Sequence, residues 1–599
     1  MKFDEGIIKL SIGNKTKTIK FNDLDKARKD GIHLEIKTEN IRNGEIYSIV
    51  LKTTKKCYLE RIELDFNFRA SYFSMFSNGY QSMSESREYL KTERMKKAGL
   101  MNRIRGYDSY GDYRFVDYVR KKGCIHSTGY TYLKSFKSTL FAASLNEDKG
   151  FTFFYGNISD KKIKVLKDLS GTEVEDSMEV LKIMMSYDVD DSWKYYSKLV
   201  KGKNVENRKI SMWRSFGRYG HGVDCKEIIN NLDSIRENNI AYDIIQIDGG
   251  YEANLGDWME SSKGFPQGLK FVADKIKEKG YVPGIWIAPF ICSNKSSIYK
   301  NHKEWLLKNS QNAEVAAGRD SSLGGKILAL DIQNEEFKVY LKEVFDYLKN
   351  CGFEFINVDY MHASCMIPGK GKNRGMVLNE AISYIEEISK GTRIMLSGTP
   401  LVNAFKKVDY CSVSCLNGYS WENTAEKNSN LKERRSVYNS LVSTLNRYRL
   451  NKNMFNSVPG IFTLKNKGSN LNKHEKYSML FLSYVMGNVI MNSDNIANYN
   501  DLEKHTLKSL YPLIDLNVYH MEIIDNVYKI KLMYGEFRYE VYFNSNDAVK
   551  TAILRYDCFN RHREDFKKAT IIDIKPHETK YFIIGDKEKI TNWSHLIVN

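Results

Sequence analysis

The chain has 599 residues, of which 42% are hydrophobic and 13% aromatic, and it carries a formal net charge of +17. This length exceeds what one hydrophobic core supports and predicts about two to four domains, while the apolar content excludes a chain that is disordered throughout. The basic residues are spread along the whole sequence and no motif of a nucleic-acid-binding module is present, so we expect no nucleic-acid partner.

The sequence also indicates the compartment and the state of the thiols. No apolar run reaches membrane-spanning length, and Met1 to Glu5 does not begin a secretory signal, so we expect a cytoplasmic protein that does not associate with membranes. The nine cysteines are scattered, and the close pair Cys411 and Cys415 has no second pair or histidine cluster to complete a zinc site. We therefore expect reduced thiols, no metal and no cofactor.

Residues 1–190 show short segments in which apolar and polar side chains alternate, a pattern typical of β-strands. We predict an N-terminal β-sandwich over this range. Its unusual feature is the aromatic and polar loop from Phe76 to Ser82, which either covers the sandwich or reaches a neighbouring domain. Residues 191–207 are interpreted as a linker containing a helix, capped by Asp190 or Ser192.

The pattern changes at about residue 208, where strand-like runs begin to alternate with helical segments. Eight such runs, the number that a (β/α)8 barrel requires, begin near residues 210, 242, 281, 353, 393, 408, 454 and 488. We therefore predict a (β/α)8 barrel over residues 208–510. Alternating strands return after it, and we predict a small C-terminal β domain over residues 511–599.

The run from Gly352 to Tyr360 predicts a buried strand with Asp359 at its C-terminal end. In a barrel of this type, the C-terminal ends of the strands open onto the active site. Asp359 is therefore our candidate for a catalytic carboxylate. Considered by itself, an aspartate at a strand end is more often a structural cap of the following turn.

Other predicted strand ends carry groups suited to a sugar. Asp248 ends the second strand, Asp257 and Trp258 follow in its loop, and Trp286 lies in the third strand. Carboxylates accept hydrogen bonds from sugar hydroxyls, and indole rings pack against the apolar face of a pyranose. Core packing is the alternative for each tryptophan considered by itself.

Together these segments resemble the α-galactosidases of glycoside hydrolase family 36, over roughly residues 205–500. The resemblance rests on Trp213-Arg214-Ser215-Phe216, Gln246-Ile247-Asp248-Gly249-Gly250-Tyr251, Gly256-Asp257-Trp258, Phe265-Pro266-Gln267-Gly268-Leu269, Pro283-Gly284-Ile285-Trp286, Asn357-Val358-Asp359 and Met491-Asn492-Ser493-Asp494. The loop Asn78-Gly79-Tyr80-Gln81-Ser82 is similar to an N-terminal loop that reaches the active site in that family.

The resemblance implies a retaining glycosidase with two carboxyl groups about 5 to 5.5 Å apart, in which Asp359 matches the nucleophile. Several positions depart from the family pattern. Asn357 stands in place of a lysine that keeps the nucleophile ionised, Gly249 in place of an aspartate that holds galactose hydroxyls, Ser412 in place of a substrate-binding arginine, and Leu416 in place of the acid/base aspartate. Sugar-contacting candidates are Trp213, Asp248, Asp257, Trp258, Trp286, Asn357 and Ser412.

A replacement acid has one local candidate. Glu422 lies in the loop after the strand that carries Ser412, at the open face of the predicted barrel, whereas Asp409 begins that strand at the closed end. A solvated loop glutamate is the alternative interpretation of Glu422. Two functions stay open: a glycosidase of altered specificity, and a glycan-binding protein of the same fold that has lost its chemistry. Either would take a carbohydrate as its substrate or ligand, and a homo-oligomer is left open.

Overall fold

The N-terminal region consists mainly of two antiparallel sheets packed face to face. The computed structural model describes residues 3–29, 31–320, 323, 325–415, 419–465, 468–556, 558–560 and 565–585. The strands of this region are β1 Phe3–Ile12, β2 Lys15–Lys20, β3 Ile32–Ile41, β4 Gly44–Thr53, β5 Cys57–Asn67, β6 Ser74–Ser77, β7 Arg87–Leu90, β8 Cys124–Thr128, β9 Tyr130–Lys134, β10 Thr139–Ser144, β11 Phe151–Asn157, β12 Lys162–Val174 and β13 Ser177–Tyr187.

These strands form one sheet in the order β2-β1-β5-β12-β11-β8 and another in the order β3-β4-β13-β10-β9-β6-β7. Alternate side chains of both sheets meet in one apolar core, which includes Ile8, Leu64 and Ile183, because successive residues of a strand face opposite sides. Two short helices accompany the sheets, α1 Leu24–Lys29 and α2 Leu100–Ile104. The β-rich N-terminal region agrees with the predicted fold class.

Helix α3, Val189–Leu199, leads from the sandwich to the barrel. Its cap is Asp188, whose carboxylate accepts the backbone N–H groups of Asp190 (3.1 Å) and Asp191 (3.3 Å). The prediction of Asp190 or Ser192 as the cap was therefore wrong. Asp188 lies one residue before the helix, where its side chain reaches the free N–H groups of the first turn, whereas Asp190 and Ser192 are already helical.

The central region is the predicted barrel, a parallel sheet in the order β23-β22-β21-β20-β16-β15-β14-β24. The backbone N–H of Asn488 donates to the carbonyl of Ser457 at 2.9 Å and so links its two ends. The strands of this region are β14 Ile210–Arg214, β15 Ile244–Ile247, β16 Val282–Ile287, β17 Ile291–Ser293, β18 Ala316–Asp320, β19 Gly325–Ala329, β20 Phe355–Val358, β21 Arg393–Leu396, β22 Tyr410–Ser412, β23 Asn456–Val458 and β24 Val489–Asn492.

Helices surround these strands, and several start at side-chain caps. Asp224 and Glu227 form a capping box at the start of α5, and Asn334 caps α8. Such caps satisfy the N–H groups of the first turn. The helices are α4 Phe216–Tyr219, α5 Cys225–Glu237, α6 Gly268–Glu278, α7 Ser297–Asn301, α8 Glu335–Asn350, α9 Arg374–Ile388, α10 Thr424–Asn428, α11 Val437–Asn446, α12 Lys473–Met486 and α13 Asp501–Lys508.

The interior of the barrel has an apolar layer below a polar layer. The apolar layer includes Met212, Ile244 and Phe355. Side chains two residues further along a strand lie on the same face, so Arg214, Gln246 and Asn357 come next towards the C-terminal ends of the same strands. The polar side chains of the interior therefore collect at the face of the barrel where active sites of this fold are found.

Strands β17, β18 and β19 form a separate antiparallel sheet, which lies in sequence between the third and fourth barrel strands, β16 and β20.

The C-terminal region is again β-rich, with one sheet in the order β25-β26-β27-β32-β29-β30 and a pair β28-β31. Its strands are β25 Asn517–Ile524, β26 Val527–Tyr534, β27 Phe537–Asn544, β28 Lys550–Leu554, β29 Cys558–Asn560, β30 Asp565–Lys567, β31 Thr570–Ile574 and β32 Thr579–Ile584. Within the described residues, no helix is long and apolar enough to cross a membrane.

Candidate active site

A cavity of about 410 Å³ opens at the C-terminal face of the barrel. Its inner wall includes Arg214, Trp286 and Asp359, which lie at or just beyond the C-terminal ends of β14, β16 and β20. The N-terminal region supplies part of the outer wall, through Gln81 and Tyr110. This volume lies within the range of small-molecule sites. The cavity is thus built from two regions of the chain that are far apart in sequence.

Asp359 is 8% exposed, and N–H donors hold both of its carboxylate oxygens. The indole Nε1 of Trp286 donates to Oδ2 at 3.1 Å, and the backbone N–H of Tyr360 donates to Oδ1 at 2.7 Å. Burial raises the pKa of Asp359, while these hydrogen bonds and the charges of Arg214 and Arg435 oppose that rise. The carboxylate therefore sits in a fixed orientation with cations near it.

Gly398 packs directly against this carboxylate. Its backbone has φ +57°, and a Cβ atom there would lie 2.9 Å from Oδ1 of Asp359 and 3.1 Å from the backbone nitrogen of Tyr360. Both the left-handed backbone and the lack of space require glycine at this position.

Asp248 is more deeply buried than Asp359, at 1% exposed. It accepts hydrogen bonds from Arg214, at 3.0 Å from Nε and also from Nη2, from the side chain of Gln246 at 2.8 Å and from the backbone of Phe216 at 2.9 Å. Arg214 lines the cavity, whereas Asp248 is not among the described residues that do so. Asp248 therefore lies behind the cavity wall and holds Arg214 in position there.

Asp257 and Trp258 are not among the described residues that line the cavity. The Asp257 carboxylate accepts from Nδ2 of Asn254 at 3.0 Å and from the backbone of Ser297 at 2.8 Å, and it borders a smaller pocket. The buried Trp258 ring packs edge-on against Trp286, with centroids 5.8 Å apart. Trp258 thus supports the ring that hydrogen-bonds Asp359.

Three further predicted residues are buried within the barrel and make hydrogen bonds there. Asn357 accepts from Oγ of Ser397 at 3.1 Å, Nε1 of Trp213 donates to the carbonyl of Asp494 at 2.8 Å, and Oγ of Ser412 donates to the carbonyl of Ser414 at 2.9 Å. None of the three is among the described residues that line the cavity. Of the predicted site residues, the structure therefore brings Trp286 and Asp359 together in the cavity.

Glu422, the predicted acid, forms an ion pair with Arg434, whose Nε and Nη2 lie 2.9 and 3.3 Å from its oxygens. It is not among the described cavity residues, and Leu416 lies outside the described part of the chain. Besides Asp359, the carboxylates that line the cavity in the described part of the chain are Asp320, Glu426 and Glu433.

Glu433 is the most buried of these, at 7% exposed. It accepts hydrogen bonds from the hydroxyl of Tyr113 at 2.9 Å and from the hydroxyl of Ser84. Burial is the main cause that raises its pKa, to about 7. A carboxyl group with such a pKa is partly protonated at neutral pH and can donate a proton there.

Sequence reasoning missed the basic and aromatic groups that line the cavity. These are Arg105, Tyr107, Tyr110, Arg214, Phe216, His221, Arg319, Tyr360, His362 and Arg435. Arg319 lies in β18, a strand outside the barrel sheet, and Arg435 precedes α11. No local pattern marks most of these residues, because contacts between distant segments place them. Arg214 and Phe216, in the motif with Trp213, and Tyr360, next to Asp359, did have a sequence signal.

Comparison with known proteins points to one family. Residues 248–400 match the Melibiase family model. The chain is 27% identical over 156 residues to the α-galactosidase AgaA of Geobacillus stearothermophilus, covering 25% of this chain and 20% of that protein. It is 31% identical over 100 residues to the α-galactosidase Mel36A of Lactobacillus acidophilus, covering 16% of this chain and 14% of the relative. Sequence likeness to these curated relatives thus spans a fifth of their length or less.

Solved structures extend the likeness to the whole fold. The α-galactosidase TtGalA from Thermus thermophilus, in complex with p-nitrophenyl α-D-galactopyranoside, superposes with a TM-score of 0.68 at 18% identity and covers 83% of this chain and 98% of its own. The family 36 enzyme AgaA gives a TM-score of 0.63 at 12% identity, covering 96% and 89%. The chain thus shares the fold of these α-galactosidases.

Within this barrel, Asp359 stands where the resemblance implies the nucleophile, and its hydrogen-bond partner Trp286 belongs to another matching motif. The lysine position holds Asn357, which is neutral and buried. The cations that act on Asp359 are Arg214 and Arg435. The positive charges near Asp359 thus come from segments other than the fourth barrel strand.

Proposed function

We propose that the chain is a retaining glycoside hydrolase that cleaves an α-linked sugar with Asp359 as the nucleophile. The observation that carries this proposal is the Asp359 carboxylate, which faces a sugar-sized cavity and is held by the N–H groups of Trp286 and Tyr360. In the first step a carboxylate oxygen bonds to the anomeric carbon while the glycosidic C–O bond breaks. Water then releases the sugar from Asp359.

Attack requires the ionised form of Asp359, and burial works against it. Trp286 and Tyr360 offset part of this effect, because hydrogen bonds to a carboxylate stabilise the charged form. Arg214 is already paired with Asp248. We therefore assign to Arg435, which reaches into the cavity from the segment before α11, much of the role that the missing lysine has in the family.

The leaving oxygen needs a proton, and two carboxyl groups are candidates for its donor. Glu422 was predicted from the sequence, but it pairs with Arg434 and is not among the described residues that line the cavity. Glu433 lines the cavity, and burial raises its pKa to about 7. These contacts favour Glu433 as the general acid.

The nucleophile is tested with aryl α-glycosides, because a phenolate leaves without protonation. Wild type should release the phenol and should carry a sugar on Asp359 that mass spectrometry detects after a slow fluorosugar substrate. Asp359→Ala should lose at least about 10³-fold in kcat/KM, since it removes the covalent route. Asp409→Asn is a matched control, because Asp409 pairs with Lys203 at the opposite end of the barrel. Equal activity of wild type and Asp359→Ala would exclude the proposed nucleophile.

The acid is tested by comparing leaving groups. Glu433→Gln should keep most activity towards a dinitrophenyl glycoside but lose about 10² to 10⁴-fold towards an alkyl glycoside, the usual size of general acid assistance. Azide should restore part of the activity of Glu433→Gln, because azide attacks the glycosyl intermediate without needing a base. If Glu422→Gln shows this selective loss and Glu433→Gln does not, the sequence-based candidate is the acid.

A glycan-binding protein without catalysis is the second candidate function, because the predicted acid is locked in an ion pair outside the described cavity lining. That function is supported if wild type and Asp359→Ala are equally inert while a sugar raises the melting temperature of both. Such a shift arises because a ligand bound to the folded state stabilises it without any chemistry.

A further inference from the structure

One wall of the cavity is formed by an imidazole ring that the family resemblance does not account for. His221 lies in the turn between α4 and α5, and it borders the cavity near Asp359. Its ring packs edge-on against Phe216, with centroids 5.5 Å apart, and against Trp286 at 6.2 Å. The ring is thus fixed between two aromatic groups, one of which holds the nucleophile.

This ring fills the space that a side chain at position 249 would occupy. A Cβ atom built on Gly249 would lie 2.7 Å from Nδ1 of His221, 2.8 Å from Cε1 and 2.9 Å from Cζ3 of Trp286. The next residue is equally close, because a Cβ atom on Gly250 would lie 2.5 Å from the carbonyl oxygen of His221. Gly249 is therefore required by the position of the imidazole, and any larger residue would have to displace it.

We propose that His221 determines the sugar specificity of this cavity, in the place of a side chain at position 249. This inference rests on the proposed glycosidase function. Position 249 follows Asp248 at the end of β15, where the resemblance implies the second aspartate of a pair that holds galactose hydroxyls. The substrate class that fits His221 is an α-linked sugar presenting a single hydrogen-bonding group to a neutral ring at this position.

The ring is neutral because burial lowers the pKa of His221, despite the nearby carboxylates of Asp320 and Asp248. A neutral imidazole has one donor nitrogen and one acceptor nitrogen, whereas a carboxylate offers two acceptor oxygens to a pair of hydroxyls. The two groups therefore select different sugars, because leaving a buried hydroxyl without its partner is costly. A plain α-galactoside should accordingly be a poor substrate.

The test is a double-mutant cycle made of His221→Ala, Gly249→Asp and the combined variant. Each protein is assayed with a panel of nitrophenyl α-glycosides that includes the galactoside, glucoside, mannoside and xyloside. In wild type we expect kcat/KM for the galactoside to be at least about tenfold below that of the best member. In the combined variant, the ratio of kcat/KM for the galactoside to kcat/KM for that member should rise by about tenfold or more. Gly249→Asp without the histidine change should not, because the imidazole obstructs the new carboxylate.

The ratio of kcat/KM between two sugars is the decisive readout, since it does not depend on how much of a variant is folded. His302→Ala is the control for loss of a histidine ring, because His302 stacks on Trp305, which borders a different pocket. Unchanged ratios in His221→Ala would overturn the inference. So would a gain in Gly249→Asp as large as in the combined variant.

If wild type cleaves no member of the panel, the proposed hydrolase function is wrong. Binding measurements then still decide the inference about specificity. Titration calorimetry with free galactose, glucose, mannose and xylose then replaces the kinetic assay. His221→Ala should change the order of affinities, and the combined variant should favour galactose. An order that is the same in wild type and His221→Ala refutes the role of His221 whether or not the protein is an enzyme.

Discussion

Replacing Glu433 by glutamine should change how the stability of the protein depends on pH. In the folded protein the pKa of Glu433 is raised from 4.5 to about 7, mainly by burial. Between these values the folded state holds a proton that the unfolded state has lost. Stability from this group is therefore complete below about pH 4.5 and is lost as the pH rises through 7. Glutamine has the same shape and does not titrate.

The size of the effect follows from the shift. A rise from 4.5 to about 7, at about 1.4 kcal/mol per unit, gives about 3 kcal/mol as an upper value. Lys432 and Asp112 influence the same group and act in opposite directions. With an unfolding entropy of about 2.1 cal/mol/K per residue, a 599-residue chain that unfolds cooperatively would shift its melting temperature by about 2 °C.

The assay compares melting temperatures of wild type and Glu433→Gln at intervals from pH 5 to pH 8. Glu252 also has its pKa raised to about 7, and Lys209 has its pKa lowered to about 7, but both are present in each protein and cancel in the difference. Wild type should lose about 2 °C relative to the variant across this range. A temperature difference that stays constant from pH 5 to pH 8 would show that Glu433 does not titrate there.

Three more perturbations test the environment of Asp359. Trp286→Phe removes an N–H donor to the carboxylate, so the acidic limb of the kcat/KM profile should move to higher pH with a loss of about tenfold at neutral pH. Arg435→Gln should also move the acidic limb to higher pH, because it removes a nearby cation, and Arg435→Lys should restore the limb to its original position. Gly398→Ala should lower the unfolding free energy by about 1 to 3 kcal/mol, measured by denaturant titration, because a Cβ atom enters at positive φ against Asp359. An unmoved acidic limb in both Trp286→Phe and Arg435→Gln would contradict the assigned charge state.

Periodicity along the chain is what made the barrel predictable. Asp359 and Asn357 share a strand face because they are two residues apart, and both project into the barrel interior above the apolar Phe355. The same rule placed Trp286 on the inner face of its strand. Regular alternation depends only on neighbours in sequence, so a single sequence contains enough information to predict it.

The electrostatic partners of the site could not be predicted in this way. Asp248 looked like a sugar ligand, yet it holds Arg214 from the adjacent strand. Glu422 looked free in a loop, yet Arg434 pairs with it and with Glu85 of the N-terminal region. Which charges meet depends on strand register and on the docking of separate regions, and neither leaves a local pattern in the sequence.

Contact between the N-terminal region and the barrel places the proposed acid, Glu433, and the proposed nucleophile, Asp359, on one cavity. The buried Arg447 of the barrel donates to Oδ1 of Asn78 at 3.0 Å and to the carbonyl of Ser82 at 2.7 Å, which fixes the loop that brings Gln81 to the cavity. The hydroxyls of Ser84 and Tyr113, from the same N-terminal region, bind Glu433. Because burial under this region raises the pKa of Glu433, we expect removal of the region to expose this carboxyl group and to favour its ionised form. A barrel separated from it would therefore keep Asp359 but lose the protonated group that the departing sugar oxygen requires.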